Sequence, residues 1–239
     1  MKPRFLFRTS LLLALCSLSD LCLAAIQVGG TRVVFPATDH EASIQVRNEG
    51  TEDIMIQSWI EAAPGQSESD LPFAITPSLA RLGHKKQQML RIFYQGKGLP
   101  EDRESVVWLS VQEIPQVSRT ENSLQVAFRQ RLKIFYRPKG LPGTADEAAN
   151  KLSWKVLETA DGLVLQAAND SAFHVSFGQV KVIAGQKEYP VQAAMISPQS
   201  SEKMKIEGLP KTFRDSAEVH WESINDYGAL IKHKASIQL

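Results

Sequence analysis

Cysteine is nearly absent from this chain. Its 239 residues include two, Cys16 and Cys22, and both lie in an N-terminal segment laid out like a secretory signal. Lys2, Arg4 and Arg8 form a positive start, Leu11 to Leu18 form a short apolar core, and Cys22-Leu-Ala24 places small residues where a signal peptidase reads. The apolar run falls short of the roughly 20 residues that span a membrane. Leu15 and Leu21 occupy the position where a lipoprotein signal needs a small residue. Residues 1–24 are therefore expected to be a signal peptide, cleaved after Ala24 to leave a soluble exported chain without cysteine. Disulfides, thiolate metal sites and cysteine nucleophiles are then excluded, even in an oxidising compartment.

An excess of one charge is missing as well. The chain has 27 basic and 26 acidic residues, and losing Lys2, Arg4, Arg8 and Asp20 leaves it near neutral. That gives no electrostatic ground for nucleic acid or an anionic membrane as partner. The five histidines, His40, His84, His174, His220 and His233, are scattered without metal-ligand spacing. There is no Gly-x-Ser-x-Gly elbow, and Gly96-Lys-Gly98 runs into Leu99-Pro100 where a phosphate loop would open a helix. His84-Lys-Lys86 reads as a solvated turn, and Asn169-Asp-Ser171 fits a glycosylation sequon that nothing else supports. A carbohydrate-acting enzyme would need a carboxylate pair in a pocket, and no such pair stands out. The expectation is no enzyme, no cofactor and no metal.

Helical periodicity is also lacking over any stretch of ten or more residues, whereas short alternating segments recur along the whole chain. Before the midpoint these include Ser43–Arg47, Ile54–Ile60, Gln88–Tyr94 and Val106–Ile114. Beyond it come Leu152–Val156, Leu163–Ala168, Phe173–Ile183, Met204–Ile206, Ala217–Ile224 and Ala229–Leu239. Between the two sets, Arg137-Pro-Lys-Gly-Leu-Pro-Gly143 and the polar run Thr144–Asn150 read as a linker over residues 139–150. The pattern predicts an all-β protein of two successive β-sandwiches, residues 25–138 and 151–239.

The most informative stretch is Ser123–Pro138, predicted as one long strand. Leu124, Val126 and Phe128 share one face, and Arg137-Pro138 closes it. At about 3.3 Å per residue it would run roughly 45 Å. An apolar edge of that length is a template for pairing with another chain. Alternation alone favours these three side chains facing the protein's own core.

Four segments in order carry a resemblance over nearly the whole mature length. They are Gly30-Thr-Arg-Val-Val-Phe-Pro36, the run from Leu99 to Pro115, Leu124–Pro138, and Ile224-Asn-Asp-Tyr-Gly228. In these the chain resembles the periplasmic pilus-assembly chaperones of the chaperone–usher pathway. The connection from Ile114 to Leu124 is short and free of cysteine, as in the short-loop branch. Ser110 stands where the family usually has asparagine, and Gln116 where a small residue or proline follows Ile-Pro. Asp170 and Ala172 replace two prolines of a second-domain turn.

The resemblance implies two immunoglobulin-like sandwiches in a boomerang (L-shaped) arrangement and a non-enzymatic periplasmic role. It assigns Leu124, Val126 and Phe128 to a donor strand that completes an unfinished pilin subunit. It assigns Arg32 and Lys133 to an anchor for the subunit's C-terminal carboxylate. Glu104, Arg137 and Asp226 become an interdomain ion network. The implied partners are pilin subunits and an outer-membrane usher, and the exposed edge also allows a self-capping homodimer. Period two places Lys133 opposite Leu124, Val126 and Phe128, so a bulge or strong twist near Gln130 is expected. The competing expectation is an exported two-domain scaffold or adhesin-like protein with no chaperone activity, whose long strand is satisfied internally.

Overall fold

The computed structural model describes residues 26–63, 71–117, 122–160, 162–210, 213 and 216–237; the expected signal peptide lies outside them. The first half of the chain makes nine strands: β1 (Ile26–Val28), β2 (Arg32–Pro36), β3 (Ala42–Asn48), β4 (Ile54–Glu61), β5 (Phe73–Thr76), β6 (Leu79–Leu82), β7 (Gln87–Tyr94), β8 (Ser105–Ile114) and β9 (Arg129–Arg137). They form a four-stranded sheet, β1-β3-β7-β5, and a five-stranded sheet, β2-β9-β8-β4-β6. Alternation explains the burial. In β3, Ala42, Ile44, Val46 and Asn48 point inward while Ser43 and Arg47 face water. Gly29-Gly30 lets the chain leave the first sheet after β1 and enter the second as β2.

The second half contributes a helix, α1 (Ala145–Asn150), and seven strands: β10 (Ser153–Thr159), β11 (Gly162–Asn169), β12 (Phe177–Ala184), β13 (Lys187–Pro190), β14 (Ser200–Lys205), β15 (Ala217–Ile224) and β16 (Leu230–Ile237). Sheets β10-β11-β14 and β13-β12-β15-β16 enclose a separate core that includes Leu165, Val182, Ile196, Val219 and Trp221. The first core holds Phe35, Ile56, Leu90, Leu109 and Ile134. Two cores, each between two sheets, make this an all-β protein of two immunoglobulin-like sandwiches.

Part of the expected linker is structured. Thr144 caps α1 by accepting the Glu147 amide at 3.2 Å, and Ala148 and Ala149 belong to the second core. Two alanines facing inward suffice to dock a helix of six residues, a signal too short to register as periodicity. The Asn169 sequon is sealed. Its side chain is buried, donates to the carbonyls of Phe173 and Ser197 at 2.7 and 2.9 Å, and accepts from Ser171. Asn169 thereby shapes the turn in which Asp170 and Ala172 replace prolines.

The single long strand expected over Ser123–Pro138 does not form: β9 covers only Arg129–Arg137. The ladder starts at Arg129, and its last rung is the Glu113 amide donating to the Phe128 carbonyl at 2.9 Å. β8 ends at Ile114, so residues 124–127 have no β8 residue opposite them to extend the ladder. The expected bulge is absent too. The β8–β9 register runs unbroken from Gln112 opposite Arg129 to Ser105 opposite Tyr136.

Candidate functional site

β2 runs parallel to β9, with Arg32 the Cα partner of Lys133 and Pro36 the partner of Arg137. This register puts the two proposed anchor cations side by side where the first sandwich meets the second. Arg32 donates from Nη1 to the Ile224 carbonyl at 2.8 Å, lies 5.5 Å from the Phe135 ring centroid, and keeps a buried Nε without a partner. Lys133 Nζ reaches Ser176 Oγ at 3.5 Å and stands 5.5 Å from the Trp108 ring. Burial holds the Arg32 pKa below its ordinary value, against the pull of Asp226 and Glu104. Burial, and then Arg32 itself, lowers that of Lys133. The close partners of these two half-buried cations are a carbonyl, a hydroxyl and aromatic rings, and among the described residues neither makes a direct salt bridge. A guanidinium fork can donate to both oxygens of a carboxylate, and an ammonium adds a second positive charge.

Glu104, Arg137 and Asp226 come together at the same junction. Arg137 Nε is 2.7 Å from Glu104 Oε1, and its two terminal nitrogens grip Asp226 at 2.5 and 2.6 Å. Burial alone would lower the guanidinium pKa, but bonds to Asp226 and Glu104 outweigh it and raise it. Asp226 gets there because its turn packs against Thr31, at the entry to β2. Gly228 has φ +82°, and a Cβ on it would lie 2.6 Å from Thr31 Oγ1, so only glycine allows this approach.

Sequence reasoning missed His174. Its backbone amide and its Nδ1 each lie 2.8 Å from Glu104 Oε2, so the second domain satisfies the carboxylate oxygen that Arg137 leaves free. A lone histidine in a loop carries no pattern that would have revealed this. The Glu104 amide also donates across the junction to the Ala172 carbonyl at 2.8 Å.

The donor-segment residues are not gathered into this cleft. Leu124, Val126 and Phe128 are 90%, 56% and 50% exposed. Period two relates them to Leu132 and Ile134, both buried in the first core, and puts Lys133 on the outer face. No bulge is required: apolar side chains on one face and a cationic anchor on the other are compatible duties for one strand.

The edge of β9 ties these features together. Among the described residues, β2 covers that edge from Lys133 to Arg137, while Arg129 to Leu132 are paired with β8 alone. The vacant edge therefore ends at Arg32 and Lys133. A strand laid along it in parallel with β9 would bring its C-terminal carboxylate to the two cations, head to tail with β2.

These features define a class: a two-domain immunoglobulin-like protein with an open strand edge that leads to a cationic cleft. Similarity to known proteins narrows the class. The description "Pili and flagellar-assembly chaperone, PapD N-terminal domain" matches residues 25–142, and "Pili assembly chaperone PapD, C-terminal domain" matches 147–235. The chain belongs to the pilus-assembly chaperone family. It is 34% identical over 245 residues to the probable fimbrial chaperone YadV of Escherichia coli K12, covering 97% of this chain and 99% of that one. The YadV crystal structure superposes with a TM-score of 0.79 at 35% identity, covering 89% of this chain and all of the other. The Salmonella enterica SafB chaperone, solved in complex with the SafA pilin, is similar at a TM-score of 0.75 and 26% identity, covering 91% of this chain and 97% of that chain.

Proposed function

We propose that this protein is a periplasmic chaperone that captures pilin subunits by donating a strand, prevents their premature assembly and delivers them to an outer-membrane usher. The observation that carries the reading is the vacant edge of β9, flanked upstream by exposed Leu124, Val126 and Phe128 and closed downstream by Arg32 and Lys133. Strand addition of this kind, in which a chaperone completes a pilin, is an established form of β-augmentation. Main-chain hydrogen bonds join the sheets, and alternate side chains fill the subunit's groove. Each apolar side chain that becomes fully buried contributes roughly 1.5–3 kcal/mol. The anchor sets the register, because the carboxylate marks where the subunit strand stops.

No ATP and no catalytic step enter this scheme. Release follows when the N-terminal extension of the next subunit replaces the chaperone strand. The scaffold alternative requires Leu124, Val126 and Phe128 to be satisfied internally, and their exposure speaks against it. Without subunit, the same edge is open to a second copy of the chaperone.

The test is a periplasmic pull-down with tagged wild type, Arg32→Ala and Lys133→Ala, each co-expressed with candidate pilins. Wild type is expected to recover subunit stoichiometrically, and either variant to fold yet lose it. Capture by the variants would remove the anchor from the mechanism. Failure of wild type with its native pilins would overturn the chaperone reading.

A further inference from the structure

The outer face of the five-stranded sheet carries charges that neither the anchor nor the hinge uses. Its side chains line up in rows across the strands. Glu61, Trp108, Lys133 and Arg32 are successive Cα partners in one row. Trp59, Ser110 and Arg131 form the next, and Gln57, Gln112 and Arg129 the one after. The first row is completed on β2 by Arg32. The other two end at the vacant edge of β9 with an arginine each.

These arginines are held in place. Arg131 is 2.7 Å from Glu61 Oε2 and lies 4.8 Å from the Trp108 ring centroid. Arg129 is 3.8 Å from Glu61 Oε1 and 5.9 Å from the Trp59 ring. Glu61 is fixed in turn, accepting from Ser110 Oγ at 2.9 Å and Trp59 Nε1 at 2.7 Å. Burial would raise its pKa, but these bonds and the two arginines outweigh burial and lower it, so the carboxylate stays ionised. One carboxylate thus serves two arginines, whose side chains remain 47% and 41% exposed. With Lys133 and Arg32 in the adjoining row, the strip has more positive charge than it neutralises.

We propose that Arg129 and Arg131 select acidic side chains at two alternate, outward-facing positions near the C-terminus of the captured strand. The inference rests on the donor-strand reading above and adds a specificity to it. In a strand laid along the vacant edge, every second residue faces outward. The residues beside Arg131 and Arg129 become their direct cross-strand neighbours. Opposite charges across a strand pair stabilise it and like charges oppose it. Because Glu61 and the indole rings already fix the guanidiniums, little side-chain freedom is lost on contact. The selected positions are continuous with the carboxylate anchor, so one cationic track reads the end of the strand and the side chains just before it.

A charge scan tests this. Residues of a candidate pilin's C-terminal strand are changed one at a time to Glu and to Lys, and each subunit is co-expressed with the full-length chaperone. The readout is the ratio of Glu-variant to Lys-variant recovery at each position. Wild type is expected to favour Glu at alternate positions by about two- to fivefold each, as cross-strand ion pairs do. The alternation should flatten in Arg129→Gln plus Arg131→Gln and persist in Arg131→Lys. Arg129→Gln, which leaves the close Arg131–Glu61 bond intact, should erase the preference at one position only and guards against a folding defect in the double variant. A ratio without alternation, or an alternation indifferent to these substitutions, would overturn the selection. Loss of the unmodified subunit from wild type would instead overturn the donor-strand reading itself.

Discussion

The two ends of the β9 segment are built for opposite purposes. From Lys133 to Tyr136 the strand is paired on both edges, by β2 and β8, and it finishes at Arg137 in the Arg137–Glu104–Asp226 cluster. From Leu124 to Ala127 it belongs to no named strand, Phe128 keeps only the last rung to Glu113, and Leu124, Val126 and Phe128 show their side chains to water. Rigidity at one end gives the vacant end its value, because a strand can be offered in a defined register only if its continuation is fixed. Substitutions at the locked end should change stability, and those at the open end should change binding.

The largest effect belongs to Arg137→Ala. It leaves Glu104, only 3% exposed, facing His174 without its cationic partner, and breaking a buried pair in this way costs about 3–5 kcal/mol. Denaturant midpoints would show it. Next is Val126→Asp, which should weaken subunit capture by removing roughly 1.5–3 kcal/mol of apolar burial. Its unfolding free energy should stay within about 0.5 kcal/mol of wild type. A large loss of stability here would break the comparison, because it would place Val126 in the protein's own core.

Lys133→Met should sharpen it from the other side. It removes a partly buried cation crowded by Arg32, so the free protein should gain about 1 kcal/mol while losing the anchor. A chemical melt set beside a capture assay separates the two effects.

The smallest effect concerns Glu113, the last inward residue of β8. It is 4% exposed, has a buried Oε2 without a partner, and burial raises its pKa. A carboxyl raised in the folded state binds its proton more readily there than when unfolded. Its favourable contribution is complete below the ordinary carboxylate range and fades as pH climbs through the raised value. Glu113→Gln should therefore be more stable than wild type at neutral pH by about 1 kcal/mol. The gap should close as pH falls toward about 4. A gap independent of pH would show that charge is not its cause.

Much of the fold was legible because alternation reports directly on a half-buried sheet. β3, β4, β8, β11 and β15 were all visible as period-two runs. β14 was harder: Ser200–Lys205 is a mostly polar edge strand with one buried side chain, Met204. Helix α1 escaped notice because two inward alanines make no periodicity. Pairing was the hidden quantity throughout. Ser123–Pro138 reads as one strand, yet strand structure is confined to Arg129–Arg137, where β8 or β2 supplies a neighbour. The parallel match of Arg32 to Lys133 joins residues far apart in sequence, so only the family resemblance pointed to them. His174 and the arginine–tryptophan rows had no signal, because their meaning comes from what lies beside them in space.

The parallel course of β2 has a practical consequence. An incoming strand and β2 would share one edge of β9 in tandem, so the slot is closed at its far end. It would tolerate a subunit of almost any length upstream, but residues added after the last one would run into the start of β2. Epitope or affinity tags on candidate subunits therefore belong away from the C-terminus. A partner screen using C-terminal fusions would discard the very clients it sought.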